Sequence, residues 1–475
     1  MNAVDRTPVC VDLDGSLIHS DLLLESFLLL IKRNPLFLFL VPLWLLGGKA
    51  RLKAEIASRV QLNGSALPYT KPLLTWLQTQ KEAGRPIWLC TASDHRLAQA
   101  VADHVGFFDG VLASDGKVNL AGPNKAAELV RRFGEKGFDY VGNHQVDIKV
   151  WSHARRAIVV NAGASLQAAA AKVATVDHVV PPLPGGIKVV AKALRVHQWA
   201  KNALIFVPLL AAHRLTDTTA LVQGLLAFAA FSLCASSVYL LNDMLDLEAD
   251  RQHHSKCNRP FAAGRLSLLF GIGATPVLLV LALALCAVLP IKFFGVLVAY
   301  YIATLAYSFG VKKVVMIDVL ALAGLYTIRI VAGAAATVIP LSFWLLMFAV
   351  FIFLSLAIVK RYAELFQMRQ QGKLKAKGRG YQVEDISLLQ SLGTASGYLS
   401  ILVLALYLNS PDIAVMYHYP KLVWGLVPIM LYWISRIWME THRGNMHDDP
   451  LVYALKDRTS LLTGVAAAVL LAFAA

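Results

Sequence analysis

The sequence predicts two architectures in series: an α/β domain over residues 1–180 and an all-α bundle of nine transmembrane helices over 191–475, joined by a linker at 181–190. Three observations predict it. The 475 residues are 57% hydrophobic and 16% charged, with a mean hydropathy of +0.57. Ordinary soluble domains carry roughly 25% charged residues, so a plain soluble enzyme is excluded. Charge is also uneven, since residues 1–185 hold 20 Lys+Arg and 16 Asp+Glu whereas 186–475 hold 25 and 14. Finally, the breaker cluster Pro181-Pro182-Leu183-Pro184-Gly185-Gly186 stands where the composition changes.

Up to about residue 185, short β-rich runs alternate with amphipathic stretches. Residues 9–13, 87–90, 110–113, 140–142 and 157–160 read as strands, with 96–104 and 125–133 as helices between them. That rhythm is the signature of a parallel sheet with crossover helices. Residues 22–46 depart from it, being almost wholly apolar but broken by Lys32-Arg33-Asn34-Pro35. Each half is shorter than the ~20 residues that span a bilayer. A helical hairpin lying in the membrane interface or docked against membrane helices is expected, the alternative being a buried hairpin, within a cap at about 20–70. A secretory signal would need a positive start and an early apolar stretch, whereas residues 4–17 read as a short strand ending in carboxylates. The N-terminal domain is therefore expected in the cytoplasm. Five cysteines lie far apart, without CxxC or Cys/His ligand spacing, and suggest neither disulfides nor zinc.

Beyond the linker, nine apolar segments occupy 203–212, 220–241, 266–289, 291–309, 315–337, 341–359, 393–409, 420–439 and 459–475. With the N-terminal domain inside, the loops on its side carry seventeen basic residues: Arg251, Lys256, Arg259, Arg265, Lys312, Lys313, Lys360, Arg361, Arg369, Lys373, Lys375, Lys377, Arg379, Arg436, Arg443, Lys456 and Arg458. The opposite loops carry three, Arg214, Lys292 and Lys421. This positive-inside bias predicts a multi-pass inner-membrane protein with its basic loops cytoplasmic. Topology and phosphate handling account for the basic residues, so nucleic-acid binding is not expected.

At the end of the second apolar segment stands Asn242-Asp243-Met244-Leu245-Asp246-Leu247-Glu248-Ala249-Asp250, followed by Lys256, Arg259 and Pro260. On a helix, Asp243, Asp246 and Asp250 at i, i+3, i+7 share a face. Three carboxylates that close repel unless a divalent cation joins them, and Mg²⁺ binds carboxylates together with substrate phosphates. Carboxylates at membrane depth are costly and usually functional. The spacing NDxxDxxxDxxxxxxxxRP resembles the UbiA-type superfamily of intramembrane prenyltransferases over about residues 190–475. The resemblance implies nine helices and a diphosphate held through Mg²⁺ by Asn242, Asp243, Asp246 and Asp250, with Asp243 and Asp246 essential. Tyr307-Ser308, Lys312, Asp318, Arg329 and Gly333 resemble the second motif region, but Leu322 replaces the second acid of DxxxD.

Other runs resemble one subgroup, the decaprenyl-phosphate phosphoribosyltransferases: Arg195-Val196-His197-Gln198-Trp199-Ala200-Lys201-Asn202, Lys360-Arg361-Tyr362-Ala363-Glu364-Leu365, Arg379-Gly380-Tyr381, and His447-Asp448-Asp449-Pro450 with Asp457-Arg458. The resemblance implies transfer of 5-phosphoribosyl from phosphoribosyl diphosphate to a polyprenyl phosphate. Lys201, Lys256, Arg259, Lys312, Arg329, Lys360 and Arg361 would then cradle the 5-phosphate and the lipid phosphate, with Tyr307 and Glu364 beside them.

The run Val9-Cys10-Val11-Asp12-Leu13-Asp14-Gly15 places two carboxylates beyond a buried strand, where open α/β sheets build ligand sites. Asp12 suits a phosphate-accepting nucleophile and Asp14 a general acid/base. Thr91, with Ser93 the next choice, could hold a phosphoryl oxygen. Lys125 could neutralise the phosphoaspartate and Asp147 bind Mg²⁺. In order and spacing these resemble the haloacid-dehalogenase-like phosphatases over about residues 5–180, which implies a Rossmann-like fold with a small helical cap. Asn143 replaces the first acid of the family's GDxxxD, leaving Asp12, Asp14, Asn143 and Asp147 as the implied metal set.

The two resemblances combine into one expectation: Mg²⁺ in both domains, phosphoribosyl transfer to the lipid, then removal of the 5-phosphate to give polyprenyl-phospho-ribose, a sugar donor for cell-wall or other glycan assembly. The alternative is transfer of a polyprenyl chain from its diphosphate to an aromatic or glycerol-phosphate acceptor, with a regulatory or inactive N-terminal module. The lone Asp318 weighs against it. A transporter is disfavoured by the motifs.

Overall fold

A computed structural model describes residues 5–116, 118–372, 380–410, 413, 416–446 and 449–475. Lys373, Lys375, Lys377, Arg379, His447 and Asp448 lie outside the described residues. The chain forms two compact units, one of residues up to 194 with 239–275, the other of 195–238 with 276–475.

The first unit is built on six parallel strands: β1 (Val9–Val11), β2 (Ile87–Asp94), β3 (Gly110–Ser114), β4 (Asp139–Gly142), β5 (Arg156–Val160) and β6 (Thr175–Val180). The order β3-β2-β1-β4-β5-β6 puts β1 at the point where the winding reverses. The carboxyl ends of β1, β2 and β4 open a crevice there, the usual ligand position of such sheets. Five strands match the apolar runs in the sequence. β6 is additional, an edge strand whose outward residues Thr175, Asp177 and Val179 are exposed. Its mixed polar alternation hides it from a search for buried runs. The sheet is packed on both faces, one through Leu13, Leu89 and Val141, the other through Tyr140, Trp151 and Leu129.

The insertion between β1 and β2 is helical, as expected. Helix Leu22–Arg33 is N-capped by Asp21, whose carboxylate accepts from Leu24 N at 2.9 Å. Asn34 ends it and caps the 3₁₀ turn Pro35–Phe39, which leads into helix Val41–Leu46. Leu36, Phe39, Leu43 and Leu46 are all exposed. Helix Lys49–Ala57 returns the chain toward the sheet.

Among the described residues, seven helices are long and apolar enough to cross a membrane: Thr218–Leu245, Leu268–Cys286, Ile291–Phe309, Ile317–Thr337, Phe343–Gln370, Val383–Leu408 and Pro420–His442. Pro450–Lys456 and Arg458–Ala474, bent by 81°, make an eighth if taken as one span. The expected count of nine is thus corrected. Segment 203–212 is not a span. It divides into the 3₁₀ stretch Val196–Phe206 and the short helix Val207–Ala211, opened by Pro208. The physical reason is the polar pair Lys201 and Asn202, which is buried inside the unit rather than turned to lipid. Large exposed apolar side chains such as Leu269, Val280, Ile291 and Ile302 line the outer faces of the spans, a surface suited to hydrocarbon and not to water.

Candidate functional site

Three groups of candidate residues stand out, two in the first unit and one in the second. In the first, the chain leaves β1 into Asp12-Leu13-Asp14-Gly15. Gly15 has φ +75, and a β-carbon there would run into the Asn143 amide. A glycine is therefore required for the β1 turn to fit under the loop after β4. Asp12 accepts a 2.6 Å bond from Lys125 Nζ, which also donates to Tyr140 Oη at 2.9 Å. Lys125 stands in the first turn of helix Pro123–Phe133. Asp14 is fixed by Leu22 N at 2.7 Å and Ser93 Oγ at 2.9 Å. Thr91 is fully buried on β2, its hydroxyl accepting from Ser93 N at 3.0 Å.

Burial pushes the Asp12 carboxyl up to about 6, against the opposing charge of Lys125. It pushes Asp14 to about 7, with Asp21 and Asp12 adding repulsion. Burial works against the Lys125 ammonium, yet Asp12 and Asp147 hold it above its ordinary value. Asp147 closes a capping box: its Oδ2 accepts from Asn143 N and His144 N, both at 2.9 Å, and its Oδ1 from Tyr140 Oη at 3.2 Å. Asn143 Oδ1 accepts from Ser16 Oγ at 3.2 Å.

The six residues predicted for the phosphatase-like site, Asp12, Asp14, Thr91, Lys125, Asn143 and Asp147, therefore gather at the ends of β1, β2 and β4. Lys53 was not anticipated. It reaches from the insertion to Ala92 O at 2.6 Å and Asn119 Oδ1 at 2.9 Å, and burial lowers its pKa while the charge of Asp14 supports it. Nothing in the sequence of an insertion tells which of its lysines folds back on the sheet.

The aspartate-rich segment also belongs to this unit. The helix expected to carry all three acids ends at Leu245, and a new one, Leu247–Arg251, starts after Asp246. Asp243 and Asp250 converge on Arg259, whose Nη1 donates to both at 3.1 and 2.7 Å. Asp246 instead meets Lys32 Nζ at 3.0 Å. Burial raises the pKa of Asp250 against the opposing Arg259. Asn242 precedes the pair, and Lys256 lies on the 3₁₀ turn Lys256–Asn258.

In the second unit, Asp449 is a hub. It accepts from Lys201 Nζ at 2.8 Å, Lys360 Nζ at 3.1 Å and Tyr326 Oη at 2.8 Å. Asp318 is fully buried and takes Arg361 Nε and Tyr381 Oη, both at 2.5 Å. The remaining nitrogens of Arg361 go to Glu364 at 2.7 Å and Tyr307 Oη at 2.9 Å. Arg329 donates to Asn202 at 2.9 Å and Tyr300 at 3.3 Å and lies near the Tyr326 ring. Lys312 sits on the turn Val311–Lys313. Lys201, Lys360 and their unforeseen partner Asp449 thus form one cluster, with Arg329 beside it. Arg361, Glu364 and Tyr307 form another around Asp318. The Asp-Pro of the 449–450 run marks a helix cap in the sequence, but its partners are set only by packing.

The donor chemistry in the first unit suits Mg²⁺. Asp12 and Asp14 offer crowded oxygens whose pKa values are raised by burial and by neighbouring carboxylates, and Asp243, Asp246 and Asp250 hold side-chain cations. Among the described residues no three His, Cys, Asp or Glu side chains are already drawn together as a metal cage. A phosphate-bearing partner completing the shell fits the way Mg²⁺ is usually held.

Apolar spans with an acidic motif at the end of one of them define a membrane-embedded transferase. The chain belongs to the UbiA prenyltransferase family, which it matches over residues 203–455. It is 37% identical over 465 residues to an uncharacterised Sinorhizobium fredii protein, y4nM, covering 97% of this chain and 89% of that one. It is 39% identical over 200 residues to the decaprenyl-phosphate phosphoribosyltransferase of Mycobacterium tuberculosis, covering 41% of this chain and 66% of that one. A solved UbiA homologue from Archaeoglobus fulgidus, bound to GPP and Mg²⁺, superposes with a TM-score of 0.45 at 16% identity, covering 60% of this chain and 97% of that one.

Proposed function

We propose that this membrane transferase moves 5-phosphoribosyl from phosphoribosyl diphosphate to a polyprenyl phosphate and then removes the 5-phosphate, leaving polyprenyl-phospho-ribose on the cytoplasmic face of the inner membrane. The observation that carries the reading is the state of Asp318. Its two oxygens are taken by Arg361 and Tyr381, so the second motif region supplies no free acid pair for a second metal. What collects in that unit instead is cationic: Lys201 and Lys360 share one carboxylate, with Arg329 next to them. Surplus cations suit a donor and an acceptor that both bear phosphate. The mycobacterial relative's name supports the same substrates, and the basic loops support the orientation.

In the first step an anionic oxygen of the lipid phosphate bonds to C1 of the ribose as the bond from C1 to the diphosphate breaks. No proton is abstracted, so no general base is needed. In the second, an Asp12 oxygen attacks the 5-phosphate, the phosphorus–O5 bond breaks, and Asp14 protonates O5. In the metal-free protein burial raises the Asp14 carboxyl to about 7, the direction a proton donor needs. Water then attacks the phosphoaspartate, giving its proton to Asp14 and releasing phosphate. Lys125 offsets the charge on Asp12 throughout, and Thr91 holds a phosphoryl oxygen. Mg²⁺, held by Asn242, Asp243, Asp246 and Asp250 in one site and by Asp12, Asp14, Asn143 and Asp147 in the other, would neutralise phosphate oxygens.

The test is to incubate purified protein with phosphoribosyl diphosphate, Mg²⁺ and a polyprenyl phosphate and weigh the lipid. A product carrying ribose without the 5-phosphate is expected. Lipid that gains no pentose, while polyprenyl diphosphate serves as a donor, would overturn the reading in favour of prenyl transfer.

A further inference from the structure

The acidic segment 242–251 is gripped by the insertion of its own unit. Arg251 makes a bidentate pair with Glu25, at 2.6 and 2.9 Å, and donates to Ala66 O at 3.1 Å. The pair is buried, with side-chain exposures of 9% and 5%. Asn63 donates to Glu248 at 3.0 Å, and Gly264 packs against His19 so closely that a β-carbon there would collide. Glu25 and Lys32 are seven residues apart on helix Leu22–Arg33, two turns along one face, so the residue that anchors the helix also aims the lysine.

Lys32 then lies 3.0 Å from Asp246. Unlike the anchor, this pair is open, with side-chain exposures of 42% and 32%. An exposed single ion pair adds little stability, so an anchored helix that ends in an open ion pair on the acidic motif is more than docking requires. Arg259 already serves Asp243 and Asp250, and Lys32 brings a cation to Asp246.

We infer that Lys32, from the insertion of the N-terminal α/β domain, is a positioning residue of the transferase: it leaves Asp246 when the donor arrives and donates to a diphosphate oxygen. The proposal rests on the acidic motif being the diphosphate site, and it deepens that reading by naming a residue outside the family-matched 203–455 region. It also gives the fusion a physical purpose, since the module that removes the 5-phosphate would complete the site that installs it. A compact ammonium on a flexible stem suits a role that requires release and recapture.

The experiment is calorimetric titration of the full chain, in lipid nanodiscs, with inorganic diphosphate in the presence of Mg²⁺, alongside the KM for the transferred donor. Lys32→Ala should weaken diphosphate binding and raise KM by about tenfold or more, with kcat little changed. Lys32→Arg should restore most of it. Lys49→Ala, an exposed charge on the same insertion, should have no effect. Wild-type affinity or tighter binding in Lys32→Ala, equal loss in Lys49→Ala, or no binding to the wild type would each overturn the assignment. Diphosphate is common to phosphoribosyl and polyprenyl donors. A wild type that binds it through Lys32 but transfers only polyprenyl groups would overturn the pentose reading and leave Lys32 in place.

Discussion

At the end of β1, two acids, Asp12 and Asp14, have one ammonium in contact, that of Lys125 on Asp12, and burial pushes their carboxyls to about 6 and about 7. In the second unit, one buried acid, Asp449, stands between two ammoniums, from Lys201 and Lys360. Burial works against its charge, yet Lys360 and Lys201 hold it well below the usual carboxylate range. Negative charge is in surplus at the sheet and positive charge in the bundle. The first arrangement suits a nucleophile and a proton donor, the second a receiver of anions, and a reaction sequence that adds a phosphate-bearing sugar and then strips its phosphate needs one of each.

The largest effect should come from removing the nucleophile. Asp12→Asn is expected to lower phosphate release by about a thousandfold or more, with the 5-phosphorylated lipid accumulating by mass spectrometry. A product pool like the wild type's would make the sheet site a bystander. At the acidic segment of the same unit, Asp243→Ala or Asp246→Ala should abolish transfer while the protein stays folded.

The bundle site is more sensitive in stability. Asp449→Asn takes the counter-charge from the buried Lys201 ammonium and one of two nearby anions from the half-buried Lys360, a loss of about 3 kcal/mol by analogy with broken buried pairs. Thermal unfolding in detergent would show it, and an unchanged midpoint would mean that the lysines have other anions. A smaller loss, about 1–3 kcal/mol, is expected for Gly333→Ala, whose β-carbon would collide with the Ile205 carbonyl. Helix Ile317–Thr337 would have to move off the Val196–Phe206 stretch that carries Lys201.

The pH response should separate the two sites further. The folded pKa of Asp14, about 7, lies above the ordinary unfolded value of about 3.9, so between these pH values the folded chain binds more protons. Its contribution is therefore fully present below about pH 4 and lost as pH rises toward 7. In EDTA-treated protein the melting temperature should fall over that window, and Asp14→Asn should flatten the slope. A slope of equal size in the variant would assign it elsewhere. The smallest effect is expected of Lys53→Ala, a severalfold rise in KM for the dephosphorylation step alone, roughly the weight of one charged hydrogen bond.

Much of this was legible because it is local. Asp12, Asp14 and Gly15 follow an apolar strand, and a turn at a strand end needs a glycine where φ is positive. The hairpin break at Lys32-Arg33-Asn34-Pro35 is likewise written in residue types, with Asn34 capping the next turn. The illegible parts depend on distant partners. The 203–212 run is apolar but short, and its extension back through Trp199 meets Lys201 and Asn202, which are tied inside through Asp449 and Ser232. The acidic spacing predicts one face, whereas the helix break at Asp246 sends that carboxylate to Lys32.

By itself the sequence determined the two architectures, the parallel character of the sheet and the identity of the acids and cations, because periodicity, hydropathy and turn chemistry act between near neighbours. Tertiary structure alone decided which cation meets which carboxylate. Those pairings join residues far apart in the chain, such as Glu25 with Arg251 and Lys201 with Asp449, and a buried charge takes whatever partner packing brings within reach.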